Sequence, residues 1–178
     1  MEIKATGKMD YQTVKAFVHA SSYGKTKPKK YLNFINISFA ICAFLMTLII
    51  IMGGGDSDAV LVVILDAVAI GLNYFLYYGF PKLQFKFLQK MQNIEQKYTF
   101  YDDFMTAICD EENFRGQTEL KYTVIPKVIE TSKYFFVFQA SNQAYLVDKS
   151  TIENGTAEEI REKLSSFVPK KKYIICKY

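Results

Sequence analysis

Residues 34–52 read FINISFAICAFLMTLIIIM, an apolar run without a charged side chain. A helix of roughly 21 residues around this run would be about 30 Å long, which is the thickness of a bilayer's hydrocarbon core. A second run of similar length, residues 59–80, contains one charged residue. The segment between them, GGGDSD at residues 53–58, is too polar and too rich in glycine to continue either helix. The pattern predicts a transmembrane helical hairpin with spans at residues 31–52 and 59–80.

Basic residues are distributed unevenly along the 178-residue chain. Seven lysines lie within residues 1–30, and residues 31–81 contain no lysine or arginine. Basic flanks on both sides of an acidic loop predict that both termini face the cytoplasm. Lysines beside the spans are candidate contacts for anionic lipid headgroups. These are Lys25, Lys27, Lys29, Lys30, Lys82, Lys86 and Lys90. We therefore expect the lipid bilayer, and no nucleic acid, as a partner.

Asp66 is the one ionisable residue inside the predicted spans. A carboxylate in lipid costs at least about 2.5 kcal/mol unless it is neutral, paired or hydrated. Folding the hairpin about its glycine turn places Asp66 near Thr47, and Asn73 near Ser38. These four residues are candidate intramembrane polar contacts. Hydrogen bonding within the hairpin or a homo-oligomer is the favoured hypothesis, because one carboxylate on two helices makes a poor pathway; a proton or ion site is the alternative.

The segments beside the hairpin have different patterns. Residues 1–30 predict a strand with alternating polarity, a helix capped by Asp10, and a basic linker. His19 falls on the polar side of that helix, so we expect it to be solvated, without a metal or catalytic role. Residues 81–96 read as a basic amphipathic juxtamembrane helix.

From residue 97 onward the period changes to two, and short strands alternate with turn signals, which predicts an antiparallel meander of six strands. Thr156 and Glu159 form a capping box for a closing helix that ends at Pro169. The fold class is therefore an α+β membrane protein, with a two-helix hairpin and a cytoplasmic antiparallel β-sheet or partial barrel capped by a C-terminal helix. The expected core is Phe100, Ile108, Leu120, Val128, Phe136, Leu146, Ile160 and Leu164.

Three motifs carry a resemblance to a family. They are YTFYDDF at residues 98–104, KYTVIPKVIE at 121–130 and YFFV at 134–137. With the N-terminal strand and the two spans, they make the chain similar to bacterial YcxB-like proteins. The resemblance implies a pleckstrin-homology-like (PH-like) domain at residues 97–178 and a multi-pass location in the cell membrane. It implies no catalytic residues.

The residues themselves suggest no catalytic constellation. The chain has one histidine, and Cys42, Cys109 and Cys176 are isolated in sequence, as expected of reduced structural thiols. Asp102 and Asp103 fall in a predicted turn, where solvated side chains are favoured over a metal site. We therefore expect no enzymatic activity and no cofactor.

The function expected from these features is that of a membrane-anchored scaffold or adaptor whose cytoplasmic PH-like domain binds a protein partner or lipid headgroups. The alternative is an accessory or regulatory subunit of a membrane transporter that uses Asp66 as an intramembrane contact.

Overall fold

The computed structural model describes residues 2–53, 57–88, 94–111 and 114–176, and within them the fold is α+β. The strands are β1 (Ile3–Lys8), β2 (Glu95–Phe100), β3 (Phe104–Glu111), β4 (Phe114–Lys121), β5 (Lys127–Glu130), β6 (Tyr134–Phe138), β7 (Ala144–Asp148) and β8 (Tyr173–Ile175). The helices are α1 (Tyr11–Tyr23), α2 (Pro28–Ile51), α3 (Ser57–Tyr74), α4 (Phe80–Phe87) and α5 (Ala157–Phe167). A π-helical turn, Phe75–Gly79, joins α3 to α4 without a break.

The two apolar helices form an antiparallel pair, which we call the hairpin (α2 and α3). Asn36 meets Asn73 near one end, and Cys42 meets Asp66 farther along. Both helices are long and apolar enough to cross a membrane. With their 24 and 31 residues, the α2 helix and the continuous Ser57–Phe87 helix are about 36 and 46 Å long. Pro28 is in the first turn of α2, so the helix begins inside the basic segment that the sequence suggested was a linker.

The first sheet has the order β1-β2-β3-β4 and is antiparallel throughout. β1 precedes the hairpin in the chain, whereas β2 follows it. The two strands nevertheless pair, with Ile3 opposite Phe100 and Lys8 opposite Glu95. Helix α1, the hairpin and α4 are therefore an insertion between two neighbouring strands of one sheet. We call the two sheets and α5 the β domain.

The second sheet has the order β7-β6-β5-β8. β5, β6 and β7 are antiparallel, as expected, whereas β8 returns after α5 and pairs with β5 in parallel. β8 is not predicted from the sequence, because three residues after a lysine run are too few to show an alternating pattern. The sheets approach each other at β1 and β7. A side chain at Gly7 would overlap the carbonyl group of Leu146, so glycine permits this contact.

The apolar core has two parts. The first lies between the sheets and α5, and it includes Ile3, Ala5, Tyr98, Phe100, Met105, Val128, Phe135, Val137, Ile160 and Leu164. The second lies between the outer face of the second sheet and α1, and it includes Ala20, Ile129, Phe136, Phe138, Leu146 and Cys176. The second sheet is thus covered on both faces, which explains the continuous apolar run YFFVF in β6.

The closing helix agrees with its sequence pattern. Thr156 and Glu159 form the predicted capping box, and Ile160 and Leu164 are fully buried against the first core. Phe167, the last residue of α5, is exposed, although its ring contacts that of Tyr122.

Two local expectations differ from the structure. Ile108 is 38 % exposed, because Met105, Ala107 and Cys109 alternate toward the interior and leave Ile108 on the outer face. The helix that follows the hairpin ends at Phe87, and Glu95 and Gln96 belong to β2.

Candidate functional site

The β domain meets the hairpin where α1 contacts the π-helical turn, and we call this contact the junction. The His19 side chain is 8 % exposed and lies at the centre of the junction. Its Nε2 is 3.1 Å from the carbonyl oxygen of Tyr77, and its ring stacks on the Tyr77 ring with centroids 4.5 Å apart. Because a carbonyl oxygen only accepts hydrogen bonds, Nε2 carries the proton in this contact.

Pro81 explains why Tyr77 has an available carbonyl group. In an α-helix the carbonyl of residue 77 would accept a hydrogen bond from the N–H of residue 81, and proline has no N–H. The π-helical turn accommodates this change, with Phe80 N–H bonding to the Phe75 carbonyl instead. His19 therefore supplies a donor that the helix itself lacks.

The expectation that His19 is solvated is wrong. It falls on the polar side of α1 by sequence, but that side is covered by the end of the hairpin. Burial lowers the pKa of His19; the hydrogen bond to Tyr77 opposes this shift, and the positive charge of Lys15 adds to it.

The candidate headgroup lysines that the structure describes lie in the segment after α1, at the start of α2 and on α4. Lys25, Lys27, Lys29, Lys30, Lys82 and Lys86 are exposed, and Lys90 lies outside the described residues. None of these six forms an ion pair with another described residue. They are therefore available for contacts with anionic groups.

A groove of about 620 Å³ between α2 and α3 contains most of the candidate polar residues of the hairpin. It is lined by Ser38, Asp66 and Asn73, together with Cys42 and apolar side chains. Asp66 is 7 % exposed and accepts a contact from the Cys42 thiol. Its Oδ2 atom is buried without a hydrogen-bond partner among the described residues.

The partners within this groove differ from those expected. Asn73 donates to the side-chain oxygen of Asn36, and Ser38 donates to the Phe34 carbonyl of its own helix. Thr47 donates to the Ala43 carbonyl, so Cys42 takes the place next to Asp66 that Thr47 was expected to occupy. Hydroxyl groups in helices commonly donate a hydrogen bond to the carbonyl one turn earlier in the same helix. Pairing the two helices by residue number does not take this local preference into account.

A larger cleft, of about 750 Å³, is lined by residues of α1 and α4 and by residues of both sheets. We call it the junction cleft. Its apolar wall includes Val14, Phe17, Phe87 and Leu146, and its polar lining includes Gln84, Gln96, Gln139, Asn142 and Gln143. No described lining residue is charged. Sequence reasoning missed this cleft because its residues come from elements far apart in the chain.

A buried ionic network in the β domain is centred on Glu130. The Glu130 carboxylate accepts a hydrogen bond from Arg161 Nη2 at 2.6 Å and a bifurcated one from Arg161 Nε, at 3.0 and 2.9 Å to its two oxygens. Lys149 donates a further hydrogen bond to the carboxylate at 2.6 Å. Tyr173 also donates to it, at 2.8 Å. Burial would raise the pKa of Glu130, but these hydrogen bonds together lower it. The network connects β5 to α5 and β8, which is a structural role.

The other candidate residues have local partners. Asp102 pairs with Lys163, and Asp110 with Arg115 at 3.1 Å. The Cys176 thiol contacts the Gly24 carbonyl at 2.8 Å. Among the described residues, no group of histidine, cysteine or acidic side chains is arranged to hold a metal ion.

No curated protein and no solved structure matches the chain significantly. Residues 100–164 match the family model described as YcxB-like protein. This segment runs from the end of β2 into α5 and includes most of the strands of the β domain. The resemblance seen in the sequence is therefore confirmed over residues 100–164, where the chain is similar to YcxB-like proteins.

Proposed function

We propose that this protein is a membrane-anchored adaptor whose hairpin spans the cell membrane, with both termini in the cytoplasm. In this proposal the cytoplasmic β domain is fixed to the anchor at the junction and binds a protein partner in the junction cleft. The observation that carries the proposal is the cleft itself, because its walls come from both the β domain and the helix that continues the hairpin.

Exposure of the hairpin supports the membrane location. Within the most apolar windows of the two helices, only 6 % and 11 % of residues are buried. A core helix of a soluble protein would be mostly buried, whereas here Phe34, Ile51 and Met52 are largely exposed. Exposed apolar surface of this extent is unfavourable in water and favourable in lipid. Since β1 precedes α2 and is part of a sheet, removal of α2 as a signal sequence would also remove that strand.

The arrangement of the β domain supports the finer proposal of a PH-like fold. Two four-stranded sheets enclose a core that a single helix closes. The helix comes late in the chain, as expected from the YcxB-like resemblance.

The chemistry of the junction cleft favours a polypeptide occupant. Backbone peptide groups are neutral donors and acceptors, and five amide side chains offer both functions next to apolar walls. A phosphorylated headgroup would require cationic lining, which the described part of this cleft lacks. Headgroup contacts are instead assigned to the exposed lysines after α1, at the start of α2 and on α4.

Site-specific photo-crosslinking in native membranes tests the adaptor proposal. We expect a photoreactive amino acid at Asn142, which is exposed and lines the cleft, to form a discrete protein adduct. The same amino acid at Glu162, exposed on α5 outside the cleft, is the matched control. Adding Gln143→Arg should abolish the adduct, because a cation then occupies a neutral site. An identical adduct from both positions, or one that survives Gln143→Arg, would contradict the proposal.

Cysteine labelling tests the topology. We expect a membrane-impermeant maleimide to label a Ser57→Cys variant in intact cells, because residue 57 lies in the outer loop of the proposed topology. A cysteine in place of Lys170 should be labelled only after lysis. Labelling at position 170 in intact cells would contradict the proposed topology and indicate the opposite orientation.

The unpartnered carboxylate oxygen of Asp66 supports a second candidate, an accessory subunit of a membrane transporter. A helix from a larger partner could supply the donor that Oδ2 lacks among the described residues. Asp66→Asn should preserve a hydrogen-bonded assembly, whereas Asp66→Leu should weaken it by roughly 0.6–2 kcal/mol. An Asn variant that assembles normally but behaves like a deletion strain would instead support a proton or ion site.

A further inference from the structure

A separate cleft of about 240 Å³ lies between α1 and the turn that joins β5 to β6. We call it the basic cleft. It is lined by Gln12, Lys15, His19, Ser132, Lys133 and Tyr134, among others. None of the seven lysines that the sequence analysis assigned to headgroups lines it, and it is distinct from the junction cleft.

The charge of this cleft is not compensated within the described residues. Lys15 and Lys133 form no ion pair there, whereas Lys149 and Lys163 each have a carboxylate partner. No carboxylate lines the described part of the cleft. Lys15 on α1 and Lys133 after β5 thus give the lining two positive charges, which an anion bound in the cleft would offset.

Neutral donors complete the lining. The Gln12 amide and the hydroxyl group of Tyr134 can each donate a hydrogen bond. Nε2 of His19 is already directed at Tyr77, so this histidine contacts the hairpin and lines the cleft at the same time. Lysines combined with hydroxyl and amide donors suit the tetrahedral oxygens of phosphate.

The position of the cleft relates it to the hairpin. Lys15 precedes His19 by four residues on α1, which is about 6 Å along the helix axis. Because His19 both contacts Tyr77 at the end of the hairpin and lines the cleft, the cleft adjoins that end. A group at the surface of a membrane spanned by the hairpin would be within reach.

We propose that the basic cleft binds a phosphate monoester, held by Lys15 and Lys133. The phosphate could belong to a lipid headgroup or to a soluble molecule, and the chemistry of recognition is the same. This inference does not depend on a protein partner in the junction cleft.

His19 provides a site-specific probe, because it is the one histidine in the sequence. The full chain is placed in phosphatidylcholine nanodiscs, and the ring signals of His19 are followed by NMR. One series adds glycerol 3-phosphate to these nanodiscs, and a parallel series incorporates phosphatidic acid. We expect saturable shifts in at least one series. A soluble source is indicated by shifts with glycerol 3-phosphate, and a lipid source by shifts with phosphatidic acid alone.

Variants of the two lysines show whether the NMR shifts of His19 arise from binding in the basic cleft. Lys15→Gln and Lys133→Gln should each weaken binding at least about tenfold, since each removes a charge-assisted contact. Lys15→Arg should largely restore it, and Lys170→Gln, an exposed lysine outside the cleft, should leave it unchanged. The absence of shifts in both series, or equal affinity in the two glutamine variants and the native chain, would overturn the proposal.

Discussion

His19 connects two elements separated by 58 residues in the chain. Its neutral form is favoured in the folded protein, because burial lowers its pKa below the ordinary value near 6.5. A histidine with a lowered pKa takes up a proton more readily when unfolded. Its contribution to stability is therefore fully present above pH 6.5 and is lost as the pH falls below that value.

We expect His19→Gln to reduce the pH dependence of unfolding between pH 7.5 and 5.5. The glutamine amide can still donate to Tyr77 but does not titrate. Thermal unfolding of the full chain in nanodiscs at several pH values measures the effect. His19→Ala should lower stability at every pH, by about 1–3 kcal/mol, because the Tyr77 carbonyl loses its donor. An undiminished pH dependence in His19→Gln would show that another group is responsible.

Glu130 is 1 % exposed and pairs with two cations, so its charge is needed by its neighbours. We expect Glu130→Gln to lower the free energy of unfolding by about 3–5 kcal/mol, because Arg161 and Lys149 then lack a counter-charge. Glu158→Gln is the matched control, since Glu158 is an exposed partner of the same arginine at 3.7 Å. Its effect should stay within about 0.5 kcal/mol. Chemical denaturation measures both.

Acid should act on the same network. The pKa of Glu130 is lowered on folding, so its contribution is present above about pH 4.5 and is lost as the pH falls through the folded value. Equal losses from Glu130→Gln and Glu158→Gln at neutral pH would contradict this account of the network.

Among the elements, α1 has two functions. One side packs on the outer face of the second sheet, where the Phe17 ring meets that of Phe136 edge to face at 5.5 Å. Another side carries His19 to the hairpin. Helix α1 therefore holds the second sheet next to the end of the hairpin. Its sequence pattern is that of an ordinary amphipathic helix.

We expect Ala20→Asp to separate α1 from the second sheet. Ala20 is 0 % exposed, so a carboxylate there would be buried without a partner and cost at least about 3 kcal/mol. Ser21→Asp, one residue along and exposed, should change stability by no more than about 0.5 kcal/mol. Denaturation of both variants tests this, and equal destabilisation would mean that α1 does not pack as described.

At the scale of the whole molecule, the β domain is assembled from both sides of the hairpin. β1 pairs with β2 on one edge and is bonded on the other to Thr151 and Glu153. Ile3 and Ala5 fill the interior. The sequence analysis placed residues 1–30 and 97–178 in separate units, and the structure brings their strands into one sheet.

We therefore expect residues 94–178 alone to fold poorly, because loss of β1 exposes the edge of β2 and opens the core. Joining residues 2–24 to residues 94–178 through a flexible linker of about 15 residues, which can span the length of α1, should restore a folded domain. Circular dichroism and amide exchange compare the two proteins. A fusion with Ile3→Asp should behave like the shorter fragment, and equal protection in all three would show that β1 is dispensable.

Features with a local cause could be predicted from the sequence. The two apolar spans, the capping box at Thr156 and most strand positions follow from periodicity and composition over short windows. The acidic residue of the hairpin was also found, because a single charge in an apolar run is visible at once. The partners of Asp66 could not be found in this way, because they depend on how one helix is rotated and shifted against another.

The sequence by itself determined the two apolar helices, the α+β class and the similarity of residues 100–164 to YcxB-like proteins. Only the tertiary structure decided that β1 joins β2 across the hairpin, that β8 pairs in parallel, and that His19 is buried. Ile108 is a further example, because its apolar side chain is visible in the sequence, whereas its position on the outer face depends on the register of β3. Long-range pairing is chosen by the total burial of both partners, and a short window contains only one of them.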